Sequence, residues 1–188
     1  MSMAIFNQTM KWVDRLIERR QQAELNLMGI GESLMNPHIV EMVKIAREHQ
    51  GDRPIHMSTN GILLTQELAR DLKIAGLSTM AVSGHDAYHA AKAIRILKEA
   101  GLYNGYNMDY ILQPHDWSGR VEWFVSAIKY PCPWIRTQMA AIQWDGSISS
   151  CCMDAYKEAV MGHVNDLEDF DEITLKPYFR CQKCHQVV

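Results

Sequence analysis

The chain has 188 residues, of which 47% are hydrophobic and 22% charged, and its formal net charge is −3. This composition excludes a disordered chain, because it supplies enough apolar side chains for one core with a small added module. No basic stripe and no apolar run of about 18 residues is present, so neither nucleic-acid binding nor a membrane span is predicted. The first residues do not resemble an export signal, which predicts a cytoplasmic, reducing location.

The first 112 residues alternate between helical and strand patterns. Apolar residues recur at helical spacing across 9–22, and strands are predicted at 24–28, 54–57, 79–82 and 107–112. The intervening helices are predicted to begin at the N-caps Asn36, Thr65 and Asp86 and to end near Gly51, Gly76 and Gly101. This alternation predicts an α/β fold, a partial parallel (β/α) barrel of about four units.

Ligands of such sheets bind at the carboxyl ends of the strands. In this chain those ends are polar or rich in glycine, and they cover 29–33, 58–61, 83–86 and 113–117. We therefore expect any small-molecule site of this part of the chain to lie at that edge.

The pattern changes after residue 117. Two short runs, 137–144 and 147–152, flank Asp145-Gly146, a strong hairpin signal. A short helix is predicted over 166–173 from its apolar spacing. We place a domain boundary near residue 130, which gives a barrel-like domain at 1–130 and a small β-hairpin and helix module at 131–188.

All five cysteines lie in this second part, with the spacing C-x18-C-C-x28-C-x2-C. They are Cys132, Cys151, Cys152, Cys181 and Cys184. In a reducing compartment an odd number fits four metal ligands and one further thiol better than disulfides. A [4Fe–4S] cluster and a zinc ion both take four thiolates, so the residues alone leave both open. Cys181-x-x-Cys184-His185 also fits c-type haem attachment, but that chemistry belongs to exported proteins.

Several stretches, taken in order, resemble the radical SAM superfamily with a SPASM-type C-terminal module. The segment 27–37, with Gly31-Glu32-Ser33, is similar to the family's first "GGEP" strand end, and 58–65 and 75–83 are similar to the next two. The segment 115–119 resembles the connector to SPASM. The SPASM pattern is matched by Cys132-Pro-Trp134, Asp145-Gly146, Cys151-Cys152, the segment 161–164 and Cys181-x-x-Cys184.

The resemblance implies a [4Fe–4S] cluster with four particular ligands. They are Cys132, Cys151, Cys181 and Cys184, which leaves Cys152 as a buried fifth thiol. It also implies that Gly31, Glu32, Ser58, Asn60 and Ser83 correspond to contacts with SAM in the family. The alternative for these five residues is that they form turns, caps and local pairs.

One departure from the family bears on activity. The defining C-x-x-x-C-x-x-C loop is absent, since no cysteine precedes position 132, and the chain by this comparison begins at the helix after that loop. We therefore expect no bound SAM and assign no catalytic residue.

The predicted function is an iron–sulfur protein for electron transfer, redox sensing or structural support, with a redox or protein partner. One alternative is a radical SAM/SPASM enzyme, acting on a peptide or a small molecule, whose cluster loop is supplied elsewhere. The other is a zinc-stabilised interaction module.

Overall fold

The computed structural model describes residues 1–20, 24–107, 130–166, 176–182, 184 and 186–187. It divides into two compact units, one of Met10–Leu112 and one that combines Met1–Thr9 with Gln113–Val188. Helix α1 (Met3–Arg20) contributes residues to both units. No helix in the described ranges combines the length and apolarity that a bilayer span requires.

The first unit is built on a parallel four-stranded sheet. Its strands, in spatial order, are β1 (Leu25–Asn26), β2 (Ile55–Thr59), β3 (Thr79–Ser83) and β4 (Tyr103–Asn107). The connections contain a 3-10 turn (Ser33–Met35) and the helices α2 (Ile39–Gln50), α3 (Gln66–Ala75) and α4 (Ala87–Glu99). The predicted α/β fold with parallel strands and intervening helices is confirmed, as a four-stranded sheet in the described residues.

The two faces of this sheet differ in burial. Ile55 and Met57 of β2 and Met80 and Val82 of β3 are fully buried, and α2 and α4 contact these two strands. The alternate side chains are only half-buried, as period-two geometry dictates for the opposite face; they are His56, Ser58, Thr79, Ala81 and Ser83. Within the described residues, one face thus carries the core and the other is polar and accessible.

The sequence predicted two of the three N-caps correctly. The Thr65 hydroxyl accepts a hydrogen bond from Leu68 N at 3.1 Å, and the Asp86 carboxylate accepts one from His89 N at 2.8 Å. The prediction for Asn36 is wrong, because α2 begins two residues later than that cap requires. The Asn36 backbone N–H instead donates to Ser33 O and ends the preceding 3-10 turn.

Two other element bounds differ from the prediction. Helix α1 begins at Met3, six residues before the predicted start. Strand β4 occupies 103–107 instead of 107–112, of which 108–112 lie outside the described residues. The segment Tyr-Asn-Gly-Tyr-Asn has weak strand propensity, but parallel pairing with β3 decides its conformation.

The second unit contains a three-stranded antiparallel sheet of β6 (Ala141–Ile142), β7 (Ser147–Ser149) and β8 (Val160–His163). The predicted hairpin around Asp145-Gly146 is confirmed as β6–β7, whereas β8 was not predicted. A parallel pair joins β5 (Tyr130–Pro131) and β9 (Gln186–Val187), and a short helix α5 (Pro133–Thr137) and a 3-10 helix (Phe179–Gln182) complete the unit. The helix predicted at 166–173 lies outside the described residues beyond Asp166.

Candidate metal centre

The five cysteines lie at the ends of short elements of the second unit. Cys132 immediately precedes α5, where its carbonyl accepts a hydrogen bond from Arg136 N at 3.2 Å. Cys151 and Cys152 follow β7, Cys181 lies in the 3-10 helix, and Cys184 lies just beyond it. All five are partly buried, and none forms a disulfide bond.

The pKa shifts of two thiols, Cys152 and Cys181, indicate that thiols of different segments lie near enough to interact electrostatically. Burial raises the pKa of Cys152 strongly, and the charges of Cys151, Cys132 and Cys184 raise that pKa further. Burial also raises the pKa of Cys181, with further contributions from the charges of Cys151 and Cys132. Cysteines up to 52 positions apart in the sequence therefore lie near enough to influence one another's pKa.

The donor set suits a metal that accepts thiolates. Several thiolates packed together repel one another, and a bound cation or cluster offsets that repulsion by holding the sulfurs deprotonated. Thiolate ligands are typical of iron–sulfur clusters and of zinc. Among the residues with described positions, no three His, Cys, Asp or Glu side chains are arranged so as to hold a single metal ion.

Hydrogen bonds fix the backbone around three of these cysteines. Tyr178 N donates to Cys181 Sγ at 3.4 Å, and Cys184 N donates to Arg180 O at 3.0 Å, which closes the C-x-x-C turn. Cys151 N donates to the Ser149 hydroxyl at 3.3 Å. Amide–sulfur hydrogen bonds of the Tyr178 type stabilise a negative sulfur and tune the potential of a bound cluster.

The loop from 149 to 159 is organised by a residue that the sequence analysis missed. Asp154 is fully buried, and its carboxylate accepts hydrogen bonds from Ser149 Oγ at 3.1 Å, Glu158 N at 2.9 Å and Ala159 N at 2.8 Å. This carboxylate fixes the loop that follows Cys151 and Cys152. Nothing in the sequence distinguishes it from an exposed turn aspartate, because its partners meet only in the folded loop.

The β6–β7 turn has its own ion pair. Lys157 Nζ donates to the Asp145 carboxylate and lies 4.8 Å from the centre of the Trp144 ring. The hydrogen bond from Lys157 lowers the pKa of Asp145 to about 2. His163 Nε2 donates to the Asp145 carbonyl at 2.8 Å, so both the β7–β8 loop and strand β8 are tied to the turn.

In the first unit, the strand-end residues that the sequence predicted lie at the carboxyl edge of the parallel sheet. The carboxylate of Glu32 accepts hydrogen bonds from Leu34 N at 3.2 Å, Thr59 Oγ1 at 2.9 Å and Asn60 N at 2.7 Å. It therefore caps the 3-10 turn and joins the segment that follows β1 to the end of β2.

The other residues that correspond to SAM contacts in the family have local structural roles as well. Asn60 Oδ1 accepts a hydrogen bond from Ile62 N at 3.0 Å, as in a side-chain-stabilised turn. Ser58 Oγ lies 3.5 Å from Met28 Sδ, and the Ser83 carbonyl accepts from His85 N at 3.0 Å. Gly31 adopts φ of +113°, which favours glycine.

Family models match most of the chain. The model for the radical SAM superfamily matches residues 5–117, and the model for the SPASM iron–sulfur cluster-binding domain matches residues 132–186. No curated protein matches the sequence.

Solved structures with a fold similar to that of this chain were also found. The chain is similar to BtrN in complex with AdoMet and 2-DOIA, with a TM-score of 0.71 and 16% identity over 88% of this chain and 66% of BtrN. It is also similar to anSMEcpe with bound AdoMet, with a TM-score of 0.58 and 13% identity over 98% of this chain and 74% of anSMEcpe. At such identities the likeness shows the fold alone. The chain spans just under two thirds of BtrN.

Proposed function

Because the chain belongs to the radical SAM superfamily and carries a SPASM iron–sulfur cluster-binding domain, we propose that it holds one [4Fe–4S] cluster through Cys132, Cys151, Cys181 and Cys184. The observation that carries this proposal is that thiols from three separate segments, each partly buried, influence one another's pKa. The donor set fits the group, since a cube of this kind takes one thiolate on each iron. When bound, the cluster supplies one-electron redox chemistry.

The chain's own residues would position and tune this group. Partial burial of the sulfurs keeps water from most of their surface, and Tyr178 N–H offsets negative charge on Cys181. Four thiolates leave no iron position open for SAM. The proposed role is therefore electron transfer, redox sensing or structural support, in a reducing compartment such as the cytoplasm and with a redox or protein partner.

Two features of the first unit support the absence of SAM cleavage. No cysteine precedes position 132, so the family's C-x-x-x-C-x-x-C ligands are not supplied by this sequence. The Glu32 carboxylate already accepts three hydrogen bonds, which a SAM amino group would have to replace or share. Capping and turn formation account for the predicted SAM-contact residues without a ligand.

Anaerobic purification with iron and sulfide analysis tests the cluster. We expect brown protein with about four iron atoms and four sulfides per chain, and an EPR signal after reduction. Cys181→Ala should lose iron, because the cluster then lacks a thiolate on one iron. Colourless protein that contains zinc and no iron would contradict the proposal and favour the zinc-stabilised module.

Cys152→Ala is the matched control. This thiol lies in the same cluster but is not assigned as a ligand, so the substitution should leave the iron content unchanged. If Cys152→Ala lost iron while Cys151→Ala kept it, the assignment of ligands within this pair would be reversed.

A second candidate function is a radical SAM enzyme whose cluster loop comes from another segment or subunit. The accessible polar face of the parallel sheet favours it, since His56, Ser58, Thr79 and Ser83 remain half-exposed there. BtrN, which shares the fold, was solved with AdoMet bound. A SAM-cleavage assay distinguishes the two candidates, because only the radical SAM enzyme would cleave SAM.

A further inference from the structure

An ion pair joins two of the cysteine-bearing segments. Arg180, immediately before Cys181, donates from Nη2 to Glu158 Oε1 at 2.8 Å and from Nε to Glu158 Oε2. Glu158 belongs to the loop between β7 and β8, the same loop that carries Cys151 and Cys152. The pair therefore connects the C-x-x-C turn to a loop 22 positions away in the sequence.

The loop end of this ion pair is anchored on the buried carboxylate of Asp154. Glu158 N donates to Asp154 Oδ1 at 2.9 Å, and Ser149 Oγ donates to Asp154 Oδ2 at 3.1 Å. The Ser149 hydroxyl in turn accepts the N–H of Cys151 at 3.3 Å. A continuous path of hydrogen bonds thus runs from the residue before Cys181 to the backbone of Cys151.

Arg180 and Glu158 are joined by two side-chain hydrogen bonds, and this geometry fixes the orientation of the two side chains relative to each other. Single exposed ion pairs contribute little to stability, but a two-pronged guanidinium–carboxylate contact holds both planes in one arrangement. Arg180 also lies 5.0 Å from the centre of the Phe179 ring, which limits its rotamers. A guanidinium stays charged throughout the working pH range, so this half of the pair does not depend on titration.

We propose that Arg180 and Glu158, anchored on Asp154, form a latch that holds the C-x-x-C turn against the Cys151 loop before any metal group binds. The latch residues are positioning residues, since they act on the sulfurs through the backbone. The latch would lower the entropic cost of cluster assembly, because segments that are already held together do not have to be ordered when the cluster binds. The role of the latch in cluster assembly rests on the proposed function, but the latch itself can be tested in metal-free protein.

The second unit offers a matched control pair. Lys157 and Asp145 form an ion pair of similar exposure, 35% and 29%, compared with 26% and 27% for Arg180 and Glu158. Both control residues lie between β6 and β8 and neither belongs to the C-x-x-C segment. Lys157→Met therefore removes an ion pair from the same unit without separating the two cysteine segments.

Disulfide trapping in metal-free protein tests the latch. Cys132, Cys152 and Cys184 are replaced by Ser, and the rate at which a mild oxidant joins Cys151 to Cys181 is followed by mass spectrometry of the peptides. Arg180→Met should slow this reaction by roughly five- to tenfold, because the two segments meet less often. Lys157→Met should change it by less than about twofold.

A charge-exchanged double variant distinguishes loss of the ion pair from general destabilisation of the fold by Arg180→Met. Arg180→Glu combined with Glu158→Arg restores opposite charges and should recover most of the trapping rate, whereas each single charge reversal should not. An unchanged rate in Arg180→Met, or equal slowing in Lys157→Met, would overturn the latch.

Chelator-driven iron loss from the full cysteine set supplies a second measurement. Anaerobic Arg180→Met should lose iron several-fold faster than Lys157→Met. If the unmodified chain binds no iron but trapping still depends on Arg180, the cluster proposal fails and the latch stands. If iron binds and trapping is independent of Arg180, the latch fails and the cluster stands.

Discussion

Glu32 illustrates what can and cannot be predicted from the sequence at the scale of one residue. Its place beside Gly31 at a strand end admits either a ligand contact or a local cap. The folded chain provides three donors, from Leu34, Thr59 and Asn60, and the last two lie 27 and 28 positions away. Donors that distant cannot be assigned from local spacing, so only the structure reveals how the carboxylate is engaged.

Gly61 gives the residue-scale prediction on stability. It has φ of +83°, and a Cβ there would lie 2.7 Å from both Ala93 Cβ and His89 O. Gly61→Ala should therefore lower the free energy of unfolding by about 2–4 kcal/mol, from backbone strain and overlap with α4. Chemical denaturation monitored by circular dichroism measures the change.

Gly29→Ala is the control for that substitution. No atom lies within 4 Å of a Cβ built at Gly29, and its φ is not in the left-handed region. The expected change is within about 0.5 kcal/mol. Equal losses for the two variants would show that the close approach of Gly61 to α4 does not determine the effect.

At the scale of elements, local signals located α3 and α4, whose N-caps the sequence marks, better than β4 and β8, which strand pairing defines. Thr65 and Asp86 act as N-caps through donors three residues away, which is information the sequence contains. Strand β4 is different, since its Asn- and Gly-containing segment is held by pairing with β3. Strand β8 was missed for the same reason, because its partner β7 lies across a ten-residue loop.

The β6–β7 hairpin gives an element-scale prediction on pH. Lys157 lowers the pKa of Asp145 to about 2, against about 3.9 in an unfolded chain. A depressed pKa contributes stability that is fully present above about pH 4 and is lost as the pH falls toward 2. The difference in free energy of unfolding between the unmodified chain and Lys157→Met should therefore shrink over that window.

Denaturation of metal-free protein at a series of pH values measures this difference without acid release of a metal. Lys176→Met, at an exposed position in the same unit, is the control and should show no such trend. Because both partners are partly exposed, added salt should reduce the Lys157 effect. A difference that stayed constant down to pH 2 would contradict the assignment of Asp145 as the titrating group.

At the scale of the whole molecule, composition and cysteine placement predicted the fold class and the kind of donor. Confinement of every cysteine to positions after 131 is visible in the sequence, as is the strand–helix alternation before 112. The contacts between the segments that carry Cys151 and Cys181 are not visible, since Asp154, Glu158 and Arg180 look like ordinary surface charges until the loop folds. The types of the donor residues can thus be read from the sequence, whereas the contacts between the segments that carry them cannot.

Whether SAM is cleaved is the prediction for the whole molecule, because it concerns the activity of the complete chain. Cluster-loaded protein given SAM and a strong reductant should release methionine no faster than a protein-free control. The reason is that the proposed cluster takes four thiolates and that residues 1–131 contain no cysteine to hold a second cluster. Turnover that is abolished by Glu32→Gln but unaffected by Glu41→Gln, an exposed carboxylate on α2, would instead establish SAM chemistry at the carboxyl edge of the sheet.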